Sequence, residues 1–130
     1  MTFQEYKKVV SIIKKIANKW RKPLGLDRYR KFNIEFSEQY ADDNRGITAR
    51  CYCMWQYNEV TITFYTPQCH GMSEQDLEYV FLHEVMHAKV NEMRWIQDDD
   101  PESISHEERV CTELAMMIQS IRDTAVKGRL

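Results

Sequence analysis

Several features that would place this chain quickly are missing. No uninterrupted apolar stretch approaches the roughly 20 residues of a membrane span. The start, Met1-Thr2-Phe3-Gln4-Glu5-Tyr6-Lys7-Lys8, lacks the apolar run of a secretory signal peptide, and lysines interrupt the residues after it. The expected compartment is therefore the cytosol. Charge of one sign is missing too. The formal net charge is -2, which creates no long-range field toward nucleic acid or an anionic membrane. There are no internal repeats, low-complexity tracts or interdomain linkers. The remainder is ordinary globular material: 130 residues with a 43% hydrophobic fraction, enough for one domain with a core and too short for two. Residues 1–130 are therefore read as a single domain.

The four cysteines, Cys51, Cys53, Cys69 and Cys111, are expected to be reduced in that compartment. Cys51-x-Cys53 with Cys69-His70 matches no usual structural zinc spacing, and buried free thiols are the better reading.

Periodicity supplies the elements. Residues 2–20 form an amphipathic helix, with Thr2 as cap and Glu5 three residues on. Its apolar stripe is Tyr6, Val9, Ile13, Ile16, Ala17 and Trp20, and lysines 7, 8, 14, 15 and 19 form its wet side. Pro23 and Gly25 end it. Residues 31–37 alternate as a strand with Phe32, Ile34 and Phe36 inward. Residues 41–46 are a turn. Residues 47–57 and 59–66 come next as a hairpin closing near Asn58, the first with Ala49, Cys51, Cys53 and Trp55 on one face, the second with Val60, Ile62 and Phe64. Residues 67–72 read as a loop, and Ser73 caps a helix running to about Asn91. Residues 92–99 read as a connector containing Met93, Trp95 and Ile96, with Asp98 and Asp99 as solvated acid. Asp100 and Pro101 open a last helix to about Val126 with a core stripe of Val110, Leu114, Met117, Ile118 and Ile121, stopped by Gly128.

The chemistry sits in the second helix, at His83-Glu84-Val85-Met86-His87. Residues four apart in a helix lie on one face, about 5–6 Å apart, so two imidazoles can serve one cation. Glu84 stands beside that cation rather than on it, positioned to take a proton from a water. Zinc suits two neutral imidazoles and a carboxylate with one position left open. A third ligand is therefore needed from the last helix. Glu108 is the first choice, because Cys111, Thr112 and Ala115 on its face are small and allow close packing. Glu107 and His106 are the alternatives, and Ser105 offers Glu108 a rival role in capping. Thr112 is placed to orient His83.

With both segments in view, the chain resembles the zincin-like metallopeptidases of gluzincin type. That family pairs His-Glu-x-x-His on one helix with a Glu on a later one. The small single-domain members, the minigluzincins and phage-type metallopeptidases, are the most similar in size and order, over about residues 47–118. The long glycine-containing third-His motif of metzincins does not follow His87. The resemblance implies an α+β fold: an N-terminal helix, a three-stranded mostly antiparallel sheet, the motif helix and a C-terminal third-ligand helix. It implies a Zn2+ cofactor held by His83, His87 and Glu108, with Glu84 as general base in peptide-bond hydrolysis. It further implies a protein or peptide substrate lying along the 47–66 hairpin, with Tyr57, Tyr65, His70 or Arg94 assisting the oxyanion. The competing reading is a metal-stabilised binding module that cleaves nothing. A nucleic-acid-associated protease rests only on the lysines of the first helix. Oligomeric state is not encoded in any motif.

Overall fold

A computed structural model describes residues 1–42, 46–95 and 100–126, without the side chains at 92, 94, 95 and 126. Asp43, Asn44 and Arg45 of the turn, Ile96, Asp98, Asp99 and Gly128 lie outside the described residues, as do the side chains of Arg94 and Trp95.

The chain is α+β; the described residues form four α-helices and a three-stranded mixed sheet: α1 (Phe3–Trp20), β1 (Lys31–Ser37), β2 (Ala49–Met54), β3 (Glu59–Tyr65), α2 (Thr66–Cys69), α3 (Glu74–Trp95) and α4 (Pro101–Val126). The helix starts are set by caps. Thr2 and Glu5 form a reciprocal capping box. The Ser73 hydroxyl accepts the Asp76 N–H at 3.0 Å, and Asp100 accepts the Ser103 N–H at 2.8 Å. Asn58 turns the β2–β3 connection in the left-handed region, at φ 56°.

Three boundaries and one pairing differ from expectation. The strand expected at 47–57 is β2 over Ala49–Met54 only, and Trp55–Tyr57 form a 3-10 turn before Asn58. The segment read as loop after β3 contains the single helical turn α2. The motif helix continues to Trp95 rather than stopping near Asn91, since no glycine or proline interrupts residues 88–95. The sheet order is β1-β3-β2, with β2 antiparallel and β1 parallel to β3. It is therefore mixed, not mostly antiparallel. The hairpin fixes β2 against β3. The remaining edge of β3 takes β1, whose chain must cross the sheet before β2 begins.

One apolar cluster joins the layers. Val60, Ile62 and Phe64 are buried at the sheet centre, flanked in register by Phe32, Ile34 and Phe36 on β1 and by Cys53, Cys51 and Ala49 on β2. Val9, Ile13, Ile16, Ala17 and Trp20 of α1 and Leu77, Phe81, Leu82, Val85 and Met86 of α3 cover them. Helix α4 packs on α3 through Cys111 and Ala115, both fully buried. The stripe expected there is corrected: Val110, Met117 and Ile121 are exposed, and only Leu114 and Ile118 are partly covered. Small residues permit the closest helix approach, so α4 turns that strip inward and rolls the large side chains outward. Among the described residues no helix is long and apolar enough to cross a membrane.

A buried acid pins α1 to α3. The Glu78 carboxylate, 6% exposed, accepts hydrogen bonds from Lys19 at 2.6 Å, the Trp20 indole at 3.0 Å and Gln119 at 3.0 Å. Burial alone would raise its pKa, but bonds from Lys19, Gln119 and Trp20 outweigh it and hold the group below its ordinary value. A carboxyl lowered on folding stabilises above its unfolded pKa, and that stability is lost as pH falls through the folded pKa. Glu78→Leu is expected to strand the Trp20 N–H and cost about 1–3 kcal/mol at neutral pH. It should also make the acid limb of the stability curve shallower. Denaturant melts at pH 7 and below pH 4 check this; equal losses at both would remove the ionised carboxylate from the account.

Candidate metal centre

Helix α3 presents a row of residues at four-residue spacing, Tyr79, His83, His87 and Asn91, to a cleft of about 740 Å3. The cleft's opposite wall is β2 and the approach to it, from Gly46 to Cys53, and α4 closes one side with Ile104, Glu107 and Glu108.

Both imidazoles point Nε2 into the same space, 3.1 Å apart. The Glu108 carboxylate straddles them, with Oε2 3.0 Å from His83 Nε2 and Oε1 3.0 Å from His87 Nε2. A tetrahedral cation with bonds of about 2.0–2.1 Å separates its ligands by roughly 3.3 Å. The observed triangle is within a few tenths of an ångström of that. Two imidazole lone pairs facing each other across 3.1 Å repel unless a cation or proton lies between them, so the donor set fits a divalent metal.

The far ring nitrogens are also met. Thr112 Oγ1 is 3.4 Å from His83 Nδ1. Glu107 Oε1 is 3.6 Å from His87 Nδ1 and sits in a side chain only 8% exposed. That distance is ion-pair range rather than a hydrogen bond. Acceptors at both Nδ1 positions favour the tautomer that frees Nε2. Burial lowers the His83 pKa, with His87 adding to the effect and Glu108 opposing it, which also favours a neutral ring.

Glu84 is 8% exposed, and ligand atoms of His83, Glu84 and His87 all lie within 4.8 Å of one another. Burial first, and the Glu108 carboxylate second, push its pKa up to about 8, against a hydrogen bond from the Cys51 backbone N–H. A carboxyl so placed can accept and hold a proton near neutrality. The N–H bond from Cys51 also shows that the outer edge of β2 faces the centre.

Of the three third-ligand candidates, Glu108 reaches both imidazoles, Glu107 stands behind His87, and His106 lies exposed beside Glu102. The rival capping role is taken by Asp100, which leaves Glu108 to the cleft. Cys51 and Cys53 line the cleft as free thiols whose pKa values burial pushes up. Among the described residues, His83, Glu84 and His87 have ligand atoms close enough together to hold a metal, Glu108 closes on the two imidazoles from α4, and no cysteine joins them.

Three of the four oxyanion candidates lie away from the cleft. Tyr57, Tyr65 and His70 do not line the cleft. His70 pairs instead with Glu5 near the start of α1, and the Arg94 side chain is outside the described residues. Tyr79, Asn91 and Arg50 do line it. Tyr79 and Asn91 extend the histidine spacing by one turn each way, a signal present in the sequence. Comparison with protein-family models, curated proteins and solved structures found no match.

Proposed function

We propose that this chain is a small zinc-dependent metallopeptidase with a zincin-like fold of gluzincin type. The observation that carries the reading is the meeting of His83 Nε2, His87 Nε2 and the Glu108 carboxylate at 3.0–3.1 Å, with buried Glu84 beside them in an open cleft.

Zinc, when bound, supplies Lewis acidity toward a water molecule and a peptide carbonyl. His83, His87 and Glu108 would hold it, and Thr112 and Glu107 keep the two rings in their ligating orientation. Glu84, in its ionised form, takes the proton from the attacking water and hands it to the leaving amine. An extended peptide can lie along β2, which is at one edge of the sheet and borders the cleft from Ala49 to Cys53. Peptide and protein chains, rather than compact small molecules, suit a trough walled by a strand edge.

The test is metal content together with cleavage of an unfolded protein such as casein. About one zinc per chain is expected, with cleavage abolished by chelator and restored by zinc. Zinc binding without cleavage of any peptide would favour a metal-stabilised binding module. A chain that takes up no divalent metal would sink both readings.

A further inference from the structure

Strand β1 lies at the other edge of the sheet, away from the cleft. Its inner side pairs with β3 without a bulge from Lys31 to Ser37. Along its outer side, residues 31–37 make no backbone–backbone hydrogen bond beyond that ladder among the described residues. An unpaired edge of this length is a template for another strand unless proline, a bulge, charge or a covering element blunts it. Residues 31–37 contain no proline, bulge or inward charge, and the two edge charges, Lys31 and Glu35, repel an unmatched strand but suit one that answers them.

We propose that this edge joins two copies of the chain. The β1 strands pair antiparallel about a two-fold axis at Asn33, which makes one continuous sheet of six strands. Charge selects both the occupant and the register. Lys31 and Glu35 are exposed on the solvent face, and neither is in an ion pair among the described residues. They stand two residues either side of Asn33. Antiparallel pairing centred there sets Lys31 of one copy opposite Glu35 of the other, twice over. A parallel arrangement in register would set lysine on lysine. Shifting the axis to Phe32 or Ile34 leaves both charges unanswered. The same register places Phe32 against Ile34 of the second copy on the core face, where both are only half-buried in one chain. Cross-strand pairs of these kinds are the units that stabilise a sheet. A single strand pair is a small interface, near or below about 1,200 Å2, so the dimer is reversible and concentration-dependent. The cleft and the β2 edge stay open in it.

The experiment is sedimentation equilibrium of the full chain over a wide concentration range, with and without chelator. A monomer–dimer equilibrium indifferent to metal is expected. Lys31→Glu should weaken it by roughly 2–30-fold, and adding Glu35→Lys should restore it. Both positions are exposed, so the fold is not at risk. Directly opposed residues lie about 4.5–5.5 Å apart at Cα, within the span of a disulfide. Asn33→Cys should therefore give an oxidised covalent dimer that the parent chain does not. A chain that stays monomeric throughout, a dimer that ignores Lys31→Glu, or one that Asn33→Cys fails to cross-link would overturn the proposal. None of these outcomes depends on whether the centre is catalytic.

Discussion

Glu84→Gln is expected to lower peptide cleavage by about 10²–10⁴-fold while leaving zinc content and the fold intact. The substitution preserves shape. An amide oxygen can still accept the Cys51 N–H that the carboxylate accepts now. The position is buried and its surroundings already disfavour charge, since burial and Glu108 raise its pKa. A neutral side chain there should be tolerated, and thermal stability should hold or rise slightly. The amide cannot take up a proton from water or return one to the leaving nitrogen. The loss should therefore fall on kcat, with KM little changed. Single-turnover cleavage with matched zinc occupancy reads this directly. Equal activity in the variant would remove Glu84 from the mechanism, and loss of zinc in the variant would make it a ligand instead.

The second large effect separates the carboxylates of α4. Glu108→Ala removes the carboxylate that lies 3.0 Å from both imidazoles, the third ligand of the proposed centre. Zinc affinity should fall well beyond the roughly 10–100-fold that accompanies loss of an outer hydrogen-bonding partner. Glu107→Ala removes such an outer partner, 3.6 Å from His87 Nδ1, and should fall within that range. His106→Ala should change nothing, because its ring lies exposed beside Glu102. Zinc bound only to the folded chain stabilises by about 2.7 kcal/mol at a hundredfold excess over Kd. The zinc-induced rise in Tm should therefore survive in the His106 variant, shrink in the Glu107 variant and vanish in the Glu108 variant. Titration by calorimetry gives the affinities independently. The opposite ranking of Glu107 and Glu108 would mean that α4 sits rotated by about one residue in solution.

That ranking marks where local reading stops. Along α4, Glu107 and Glu108 differ by about 100° around the helix axis, and the sequence offers two rival faces: the small strip of Cys111, Thr112 and Ala115 that favours Glu108, and the larger apolar stripe of Val110, Leu114 and Met117. Packing decides between them. Cys111 and Ala115 are fully buried against α3, and Glu108 shares their face. The same rotation leaves Val110, Met117 and Ile121 outside, against the expectation that the larger apolar residues would form the stripe. Burying more apolar surface is favourable, but close approach of two helix backbones needs small side chains, and here the small strip won.

Sequence alone settled what acts within a few residues: the one-turn spacing of His83 and His87, the caps at Thr2, Ser73 and Asp100, the alternation that faces Val60, Ile62 and Phe64 inward, and the turn at Asn58. Backbone geometry and near-neighbour hydrogen bonds fix these whatever surrounds them. Tertiary structure decided the parallel pairing of β1 with β3, the roll of α4 that leaves Val110, Met117 and Ile121 outside, and the presence of Tyr79, Asn91 and Arg50 in the cleft in place of Tyr57, Tyr65 and His70. Those depend on which edges and faces meet across the fold, and long-range packing selects them only after each element has formed its own pattern.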